Sequence, residues 1–369
     1  MALPHSINEI DTPALLFETK IIQDNILRMQ EYARRHGVAL RPHVKAHKCG
    51  LLARMQIDAG AVGISVAKLS EAEKMASLGF TNIQIANQIV GQIKVDRLLN
   101  LAEKVTVTVA VDSKPNLFEL SRAFYARQMN LGLFIEIDVG LKRAGLSRTE
   151  EVIDLAGLIH ENSGVELEGI LSHAGRAYSA TNRSELAMIA EEEGYFMVDL
   201  ADRLQAGGCE IRQVSVGSTP TIRYSGKIKG ITEIRPGNYI FNDMMQVSLG
   251  TCVQSQCALT VLSSVTSIKP DQRAVIDAGS KALSLEQGVH GNQLLSGYGY
   301  IPGLDSKVVR VSEEHGIITH NIDTLKLTQK VRIIPNHACP VANLFDKAYL
   351  VDGDEVIDQI RIDARGCMT

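Results

Sequence analysis

Two kinds of segment alternate along the first two thirds of the chain. Short apolar runs rich in β-branched residues are followed by longer stretches whose apolar residues recur with helical spacing, as at Val152, Leu155 and Ile159. Because such runs are typical of strands, the pattern predicts strands and helices in alternation. After a first helix over Lys20–His36, the eight predicted strands are Val38–Val44, Ala61–Ala67, Ile83–Asn87, Val105–Asp112, Leu131–Val139, Leu167–His173, Arg212–Val216 and Ile231–Arg235. The predicted helices between them are His47–Ala59, Ser70–Leu78, Gly91–Glu103, Lys114–Ala126, Arg148–Glu161 and Ser184–Ala206.

Strands that alternate with helices are joined by helical crossovers and therefore run parallel. Eight such units fit a (β/α)8 barrel of the TIM type. An open, doubly wound sheet is the alternative architecture. The chain has no Gly-x-Gly-x-x-Gly that opens a helix, which weakens the dinucleotide-binding version of that alternative.

The pattern changes beyond about Asn242, where strands are predicted without helices between them. The turn signals there include Pro302-Gly303 and Asp352-Gly353-Asp354. The predicted strands are Cys257–Ile268, Arg273–Asp277, Lys307–Val311, Gly316–Thr319, Val331–Pro335 and Lys347–Asp363. We therefore predict two closely packed domains, a barrel over residues 15–242 and an all-β domain over residues 243–369 together with residues 1–14.

Composition and charge exclude several classes of function. The net charge of −4 provides no basic field for nucleic acid, and no apolar run reaches the length of a membrane span. The N-terminal segment Met1–Ile10 lacks the basic-then-apolar pattern of a signal peptide. The six cysteines are spaced irregularly, unlike a disulfide framework. We therefore expect a cytoplasmic protein with reduced thiols that acts on a small molecule.

Candidate chemistry lies after the first predicted strand, because the active site of such a barrel forms at the carboxyl ends of its strands. There the segment Arg41–Lys48 reads RPHVKAHK. A lysine at this position, such as Lys45, can lie inside the barrel mouth, where desolvation lowers the pKa of its amine and makes it a nucleophile. A solvated basic loop is the alternative interpretation.

Loops after the seventh and eighth strands form the usual phosphate site of these barrels. The first of these loops is Gly217-Ser218-Thr219, and the second contains Gly237-Asn238. Glycine lets backbone N–H groups approach a ligand closely, and the hydroxyl groups add donors. The two loops therefore indicate a phosphate site, with two ordinary turns as the alternative.

Weaker candidates follow the fifth and sixth strands, and a further pair lies in the second domain. Arg143 could bind a carboxylate through two hydrogen bonds, and His173 could stack on a ligand or exchange protons. His337 and Cys339 are two positions apart in a segment predicted to be extended, so their side chains should point the same way. Both residue types are zinc ligands. A core cysteine beside a surface histidine is the alternative interpretation of this pair.

Taken together, these segments resemble the D-serine dehydratase and D-threonine aldolase family. Its members are fold type III enzymes that use pyridoxal 5′-phosphate (PLP) and are related to alanine racemase. RPHVKAHK resembles the PLP lysine motif, and His337-Ala338-Cys339 resembles the metal motif. The supporting segments are Asp11–Ala14, Glu71–Glu73, Asp138–Gly140, Arg143–Gly145, and Arg235–Tyr239 with Asp243. The resemblance covers nearly the whole chain and implies a barrel with a β domain, in homodimers whose sites include parts of both subunits.

The resemblance also implies a role for each candidate residue. Lys45 corresponds to the lysine that forms a Schiff base with PLP, and His337 with Cys339 corresponds to the metal pair. The further residues implied to be catalytic are Tyr178, His173 and Arg143. The further residues implied to bind the cofactor are His43, Thr219, Gly237, Asn238, Tyr239 and Gln246. No residue is assigned at Ala67-Lys68, where the family often carries a glutamine.

The metal motif separates two activities within the family. Aldolases usually carry His-Cys-Asp, whereas His337-Ala338-Cys339 is similar to the motif of the D-serine and 3-hydroxy-D-aspartate dehydratases. Because a thiolate favours zinc, the expected metal is zinc, with Mn2+, Co2+ and Mg2+ as alternatives. The resemblance thus implies a lyase that eliminates water from a 3-hydroxy D-amino acid, after which hydrolysis of the product gives a 2-keto acid and ammonia. Retro-aldol cleavage to glycine and an aldehyde is the alternative.

Two other classes of protein share parts of this pattern. A small PLP-homeostasis protein has the barrel and the lysine but lacks a β domain. A PLP-free binding barrel would lack the visible absorbance of a bound cofactor.

Overall fold

The computed structural model describes residues 3–369, so Met1 and Ala2 of the segment assigned to the second domain lie outside it. Strand β1 (Ala14–Glu18) runs directly into helix α1 (Thr19–His36). Gly37 ends that helix in the left-handed conformation, with a φ of 66°.

Eight parallel strands follow and close into a barrel. Their bounds are β2 Ala39–Leu40, β3 Ile64–Val66, β4 Asn82–Gln88, β5 Thr106–Val111, β6 Leu131–Ile137, β7 Val165–Ser172, β8 Gln213–Val216 and β9 Glu233–Ile234. They are ordered β2-β9-β8-β7-β6-β5-β4-β3. Two backbone hydrogen bonds join the first and last strands and close the ring. The N–H of Val62 donates to the Leu40 carbonyl at 2.9 Å, and the N–H of Ser65 donates to the Pro42 carbonyl at 2.8 Å. The predicted (β/α)8 barrel is confirmed, and the open sheet is wrong.

Six helices cover the outside of the barrel, and all six are among those predicted. They are α2 Gly50–Asp58, α3 Leu69–Ser77, α4 Gln92–Ala102, α5 Lys114–Ala126, α6 Thr149–Glu161 and α7 Arg183–Ala206. Helix α2 begins three residues later than predicted, because Lys48 has a left-handed φ of 52° that a helix cannot continue through. Lys45 consequently lies in a separate short 3-10 turn, Val44–Ala46.

The second domain is built on antiparallel strands. They are β10 Leu259–Lys269, β11 Arg273–Ile276, β12 Gly299–Ile301, β13 Ser306–Lys307, β14 Arg310–Val311, β15 Gly316–Ile318, β16 Lys330–Pro335, β17 Lys347–Asp352 and β18 Glu355–Arg361. Strand β1 lies in the middle of this sheet, antiparallel to β10 and parallel to β17. Residues 15–18, assigned from the sequence to the barrel, therefore belong to the second sheet.

Short helices interrupt the second half of the chain. They are α8 Ile222–Ser225, α9 Met244–Ser248, α10 Ser280–Leu283 and α11 Ala338–Leu344. The expectation that no helix lies beyond Asn242 is therefore wrong, and so is the extended conformation predicted for the His337–Cys339 segment. His337 precedes the first residue of α11 and Cys339 lies in its first turn, where Pro340 is also tolerated because its missing N–H has no partner to lose.

The two domains share a hydrophobic core. Ile22 of α1, Leu52 of α2 and Phe241 after the last barrel strand belong to the same buried cluster as Leu259 of the second sheet. The rings of Phe17 and Phe241 lie 4.6 Å apart between their centroids. The close packing predicted from the absence of a linker is therefore confirmed. Within residues 3–369, no helix has the length and apolar character needed to cross a membrane.

Candidate active site

A cavity of about 270 Å3 opens at the carboxyl ends of the barrel strands. Four residues named from the sequence line it together, namely His43, Lys45, Arg143 and His173. Gly217 and Arg235, which belong to the predicted loop after the seventh strand and to the segment Arg235–Tyr239, also line it. The lining residues that the sequence did not single out include Lys68, Gln88 and Glu136. Position at a strand end thus led to the first two sets of residues.

Lys45 has the electrostatic properties expected of a nucleophilic amine. Burial lowers the pKa of Lys45 below that of a free lysine, and the nearby charges of Arg143 and Arg235 act in the same direction. The charges of Cys339 and Glu71 oppose the shift without reversing it. A larger fraction of the Lys45 amine is therefore neutral near neutral pH than in a solvated lysine.

Two histidines beside Lys45 are held in the neutral form. Burial lowers the pKa of His43 and that of His173 well below the ordinary value, and the charge of Lys45 adds to both shifts. The Nδ1 atom of His173 lies 3.0 Å from the carbonyl oxygen of Gly217. Because a carbonyl only accepts, that Nδ1 must carry the proton, and the Nε2 atom is left with a lone pair.

Arg143 reaches the cavity from the loop after β6, and its side chain is half exposed. Its guanidinium lies 3.5 Å from the Glu136 carboxylate, and that carboxylate also accepts a hydrogen bond of 2.6 Å from Gln88 Nε2. Glu136, itself held by Gln88, thus fixes one side of Arg143, and Arg143 lines the cavity. Glu136 and Arg143 come from the end of β6 and the loop after it, and Gln88 comes from the end of β4.

The residues assigned to the phosphate lie beside the cavity rather than in its lining. Gly237 lies against the segment after β2, so closely that a Cβ atom on Gly237 would be 2.9 Å from the carbonyl oxygen of His43. The hydroxyl of Thr219 accepts a hydrogen bond of 3.2 Å from the backbone N–H of Tyr239. The Tyr239 hydroxyl is buried and accepts from Gln56 Nε2 at 2.8 Å, so that phenol is directed toward α2.

Tyr178 and Gln246 are brought together from separate parts of the chain. The hydroxyl of Tyr178 hydrogen-bonds to Ser218 and Gln246, and burial raises its pKa, so it stays protonated. Asp243 caps helix α9 by accepting from the N–H of Gln246 at 3.0 Å. Thr251 donates to the Gln246 side-chain oxygen at 2.8 Å, which fixes the direction of that amide.

His337 and Cys339 come together at the N-terminal end of α11. His337 Nδ1 contacts the carboxylate of Glu286, and the imidazole also hydrogen-bonds to Cys339. Burial alone would lower the pKa of His337, but Cys339, Glu286 and Asp243 together raise it well above the ordinary value. Asn238 Nδ2 donates to Cys339 Sγ at 3.7 Å, which links this pair to the loop after β9.

The pair fits a metal ion in its donor atoms and in its support. One nitrogen and one sulfur are soft donors, and a carboxylate behind a histidine is the usual arrangement that orients a metal-binding imidazole. Among the described side chains of residues 3–369, which do not include that of His290, no group of three or more His, Cys, Asp and Glu is arranged to hold a metal. The sequence identified the pair but missed Glu286, which lies in a distant loop.

Comparisons with known proteins agree with this arrangement. The alanine racemase N-terminal domain family matches residues 18–244, and the putative serine dehydratase domain family matches residues 258–351. A D-threo-3-hydroxyaspartate dehydratase from Delftia sp. strain HT23 is 33% identical, over 93% of this chain and 95% of that protein. The chain belongs to the D-serine dehydratase and D-threonine aldolase family. A D-threonine aldolase from Arthrobacter sp. is 30% identical, over 97% of this chain and 93% of that protein.

Solved structures of this family share the fold. The Delftia dehydratase superposes with a TM-score of 0.91 at 30% identity, covering 97% of this chain and 99% of that chain. A cysteine-to-alanine variant of a D-threo-3-hydroxyaspartate dehydratase has been solved in a metal-free form, which implies that the unaltered dehydratase contains a metal. The family itself depends on PLP.

The cavity of this family member fits that cofactor. Two polar atoms of lining residues, His43 Nδ1 and Arg235 Nε, are buried without a hydrogen-bond partner in the described part of the chain. Buried polar atoms are rarely left unpaired, so both call for a ligand atom or a water. The Lys45 amine also lines this cavity, and it can serve as the nucleophile that reacts with the PLP aldehyde.

Proposed function

We propose that this chain is a PLP- and zinc-dependent lyase that eliminates water from a 3-hydroxy D-amino acid. The released unsaturated amine then takes up water to give a 2-keto acid and ammonia. D-serine and 3-hydroxy-D-aspartate are the proposed substrates. The observation that carries the proposal is the imidazole–thiol pair of His337 and Cys339, supported by Glu286 and linked through Asn238 to the loop after β9. The dehydratase relative at 33% identity supports the same activity.

Lys45 is proposed to hold the cofactor covalently and then to act as the base. Bound PLP supplies an electron sink that makes the proton on the carbon next to the amino group acidic. The lowered pKa of Lys45 provides a neutral amine that can accept this proton. Arg143 presents donors that can hold the substrate carboxylate, and Tyr178 stays protonated and can donate a hydrogen bond.

The metal is proposed to bind between His337 and Cys339, with their imidazole and thiolate as ligands. Zinc in that position would act as a Lewis acid on the substrate hydroxyl, a poor leaving group without such help. Glu286 would fix the imidazole orientation through Nδ1 and leave Nε2 for the metal. Asp243, which accepts from Ala338 N–H at 2.9 Å, would hold the start of α11 in place.

Retro-aldol cleavage to glycine and an aldehyde is the second candidate. It is favoured by the aldolase relative at 30% identity and by the lone pair that the hydrogen bond to Gly217 leaves on His173 Nε2. That nitrogen could accept the proton of the substrate hydroxyl, which cleavage of the carbon–carbon bond requires.

One experiment separates the two activities. The protein, loaded with PLP and zinc, is incubated with D-serine, D-threonine and 3-hydroxy-D-aspartate in turn, and the products are identified by mass spectrometry. A 2-keto acid with an equal amount of ammonia supports the dehydratase, whereas glycine with an aldehyde supports the aldolase. Absence of both product sets with all three substrates would contradict both proposals.

We further propose that the chain is a cytoplasmic homodimer. All six cysteines are free thiols, which suits a reducing compartment. The family resemblance supports a dimer whose sites include parts of both subunits. Light scattering coupled to size-exclusion chromatography tests the dimer directly, and a monomer of 40.2 kDa would contradict it.

Replacing Gly237 by valine is expected to weaken PLP binding by about 5- to 150-fold, because overpacking of this kind costs about 1–3 kcal/mol. The added side chain would meet the His43 carbonyl oxygen and push the Gly237-Asn238 loop, which is proposed to hold the phosphate, away from the segment that carries Lys45. Gly157→Val on α6 is the matched control, since a Cβ there meets nothing within 4 Å. Titration of the visible absorbance measures the affinity, and unchanged affinity in folded Gly237→Val would contradict the assignment.

Replacing Glu286 by glutamine is expected to lower zinc affinity by about 10- to 100-fold, because the partner that orients a metal-binding histidine contributes roughly this much. PLP binding should not change, since Glu286 does not line the cavity. Glu313→Gln, an exposed partner of Lys281, is the control. Competition with a chromophoric chelator gives the affinity, and equal values for the two variants would argue against the role of Glu286.

A further inference from the structure

A chain of buried polar side chains lies directly behind the cavity. Arg235 lines the cavity and donates from Nη2 to the backbone carbonyl of Ser172 at 2.6 Å. The Ser172 hydroxyl donates to the Oε1 atom of Glu193 at 2.7 Å. Glu193 comes from α7, on the outside of the barrel, yet only 2% of its surface is exposed. One serine thus joins the cavity arginine to a buried carboxyl group.

A second carboxylate lies on the other side of Arg235, and its charge is balanced separately. Arg235 Nη1 donates to the Ser215 hydroxyl, which donates to Glu233 Oε1 at 2.6 Å. The other oxygen of Glu233 accepts from Arg41 Nε at 2.8 Å. Glu233 therefore has Arg41 as a direct ion-pair partner, whereas the cation near Glu193 is Arg235 itself.

Glu193 is not paired as a purely structural carboxylate would be. Its Oε2 atom is buried and makes no close hydrogen bond among the described residues, and only smaller effects of the Thr221 hydroxyl and the Gly217 backbone reach the carboxyl. Burial raises the pKa of Glu193 to about 7, against the opposing effects of Ser172 and Arg235. Glu193 therefore changes its charge near neutral pH, whereas the guanidinium of Arg235 stays protonated.

We infer that Glu193 is a positioning residue of the cofactor site, whose charge sets the electrostatic field that Arg235 presents to the ligand in the cavity. The inference rests on the proposed function, because PLP is the ligand that it invokes. When Glu193 is protonated, it no longer offsets the positive charge of Arg235, and only the other carboxylates, Glu233 and Glu136, do so. When Glu193 is ionised, part of that field is cancelled, since both groups are removed from water.

The surroundings of Glu193 support a charge effect through Arg235. The groups that face the carboxyl are the Ser172 hydroxyl from β7, the Thr221 hydroxyl and the Gly217 backbone from the loop after β8, and the Arg235 guanidinium. Four charges act on Arg235, namely those of Glu233, Glu193 and Glu136, in that order, and that of Arg41. Glu233 is held in an ion pair with Arg41, whereas Arg235 is the charged group that acts on Glu193. A change in the charge of Glu193 therefore acts on Arg235.

The test compares PLP affinity in the unaltered protein and in Glu193→Gln across pH. Glutamine keeps the hydrogen bond from Ser172 but carries no charge, so it corresponds to protonated Glu193. Because the titrations of PLP itself are common to both proteins, they cancel in the ratio of the two dissociation constants. We divide the dissociation constant of the unaltered protein by that of Glu193→Gln. We expect this ratio to be constant well below pH 7 and to rise about threefold to tenfold above pH 7, because the unaltered protein loses affinity there.

Glu192→Gln is the matched control, because Glu192 precedes Glu193 on α7 but is exposed and paired with Arg176. The dissociation constant of Glu192→Gln for PLP should equal that of the unaltered protein at every pH. Ser172→Ala is a second variant for the case in which Glu193→Gln does not fold. Loss of the Ser172 hydroxyl removes an interaction that lowers the pKa of Glu193, so the inflection in PLP affinity should move to higher pH.

Two failures are distinguishable. A protein that binds PLP with a pH-independent ratio, or with an inflection that Ser172→Ala does not move, would overturn the role of Glu193 alone. An unaltered protein that binds no PLP at any pH would overturn the proposed function and this inference with it.

Discussion

Replacing Lys45 by alanine is expected to abolish the visible absorbance of bound PLP and to reduce turnover by at least about 10^4-fold, because the same amine is proposed as anchor and base. The lowered pKa of Lys45 makes this amine reactive near neutral pH, where a solvated lysine is almost fully protonated. The loss should be seen in the absorbance spectrum and in the release of keto acid.

The control for Lys45 is Lys68, a second lysine in the lining of the same cavity. Lys68→Met should keep the absorbance of the cofactor, because that side chain follows β3 and is not in the turn Val44–Ala46. Reduction of the unaltered protein with borohydride should fix a pyridoxyl group on the peptide that contains Lys45. A pyridoxyl group on Lys48 or Lys68 would show that the assignment is wrong.

Removing the metal, or replacing Cys339 by alanine, is expected to slow release of keto acid by about 10^3-fold, since Lewis-acid stabilisation of a leaving oxygen contributes several kcal/mol. The cofactor absorbance should remain, because neither His337 nor Cys339 lines the cavity that contains Lys45. Exchange of the α-proton with solvent should also continue, which distinguishes loss of the metal from collapse of the site.

Cys209→Ala is the matched control, because Cys209 is also partly exposed but lies at the opposite end of the barrel, before β8. Its activity and its metal content should equal those of the unaltered protein. Cys339→Asp should shift the metal preference toward manganese, since a carboxylate is a harder ligand. Full activity in the chelated, metal-free protein would contradict the role of the metal.

The barrel could be predicted from the sequence because most of its strands and helices are long or apolar enough to show a period of their own, although β2 and β9 have only two residues each. Helix α11 could not, since its seven residues span only two turns and include Pro340. Residues 15–18 were assigned to the barrel for a different reason. Leu15, Leu16 and Phe17 are apolar in either location, and only the pairing of β1 with β10 and β17 decides between them.

The site shows the same limit. Lys45, His173 and Arg143 could be predicted because the ends of parallel strands converge at one face of a barrel. Glu286 and Glu193 could not be predicted, because each is identified only by its contact with a residue that is distant in sequence, His337 for Glu286 and Ser172 for Glu193. The Tyr239 hydroxyl shows a related limit, since its direction toward Gln56 depends on how α2 packs.

The place of β1 in the second sheet bears on how the protein forms during synthesis. Strand β1 is made first, but β10 and β17, the strands on either side of it, are made late. Until then Leu15 and Phe17, which are almost completely buried in the finished protein, have no sheet to cover them. Contacts between such distant parts of a chain form slowly. The nascent protein therefore exposes an apolar strand through most of its synthesis, and a chaperone that binds extended apolar segments would find its target at the N-terminus.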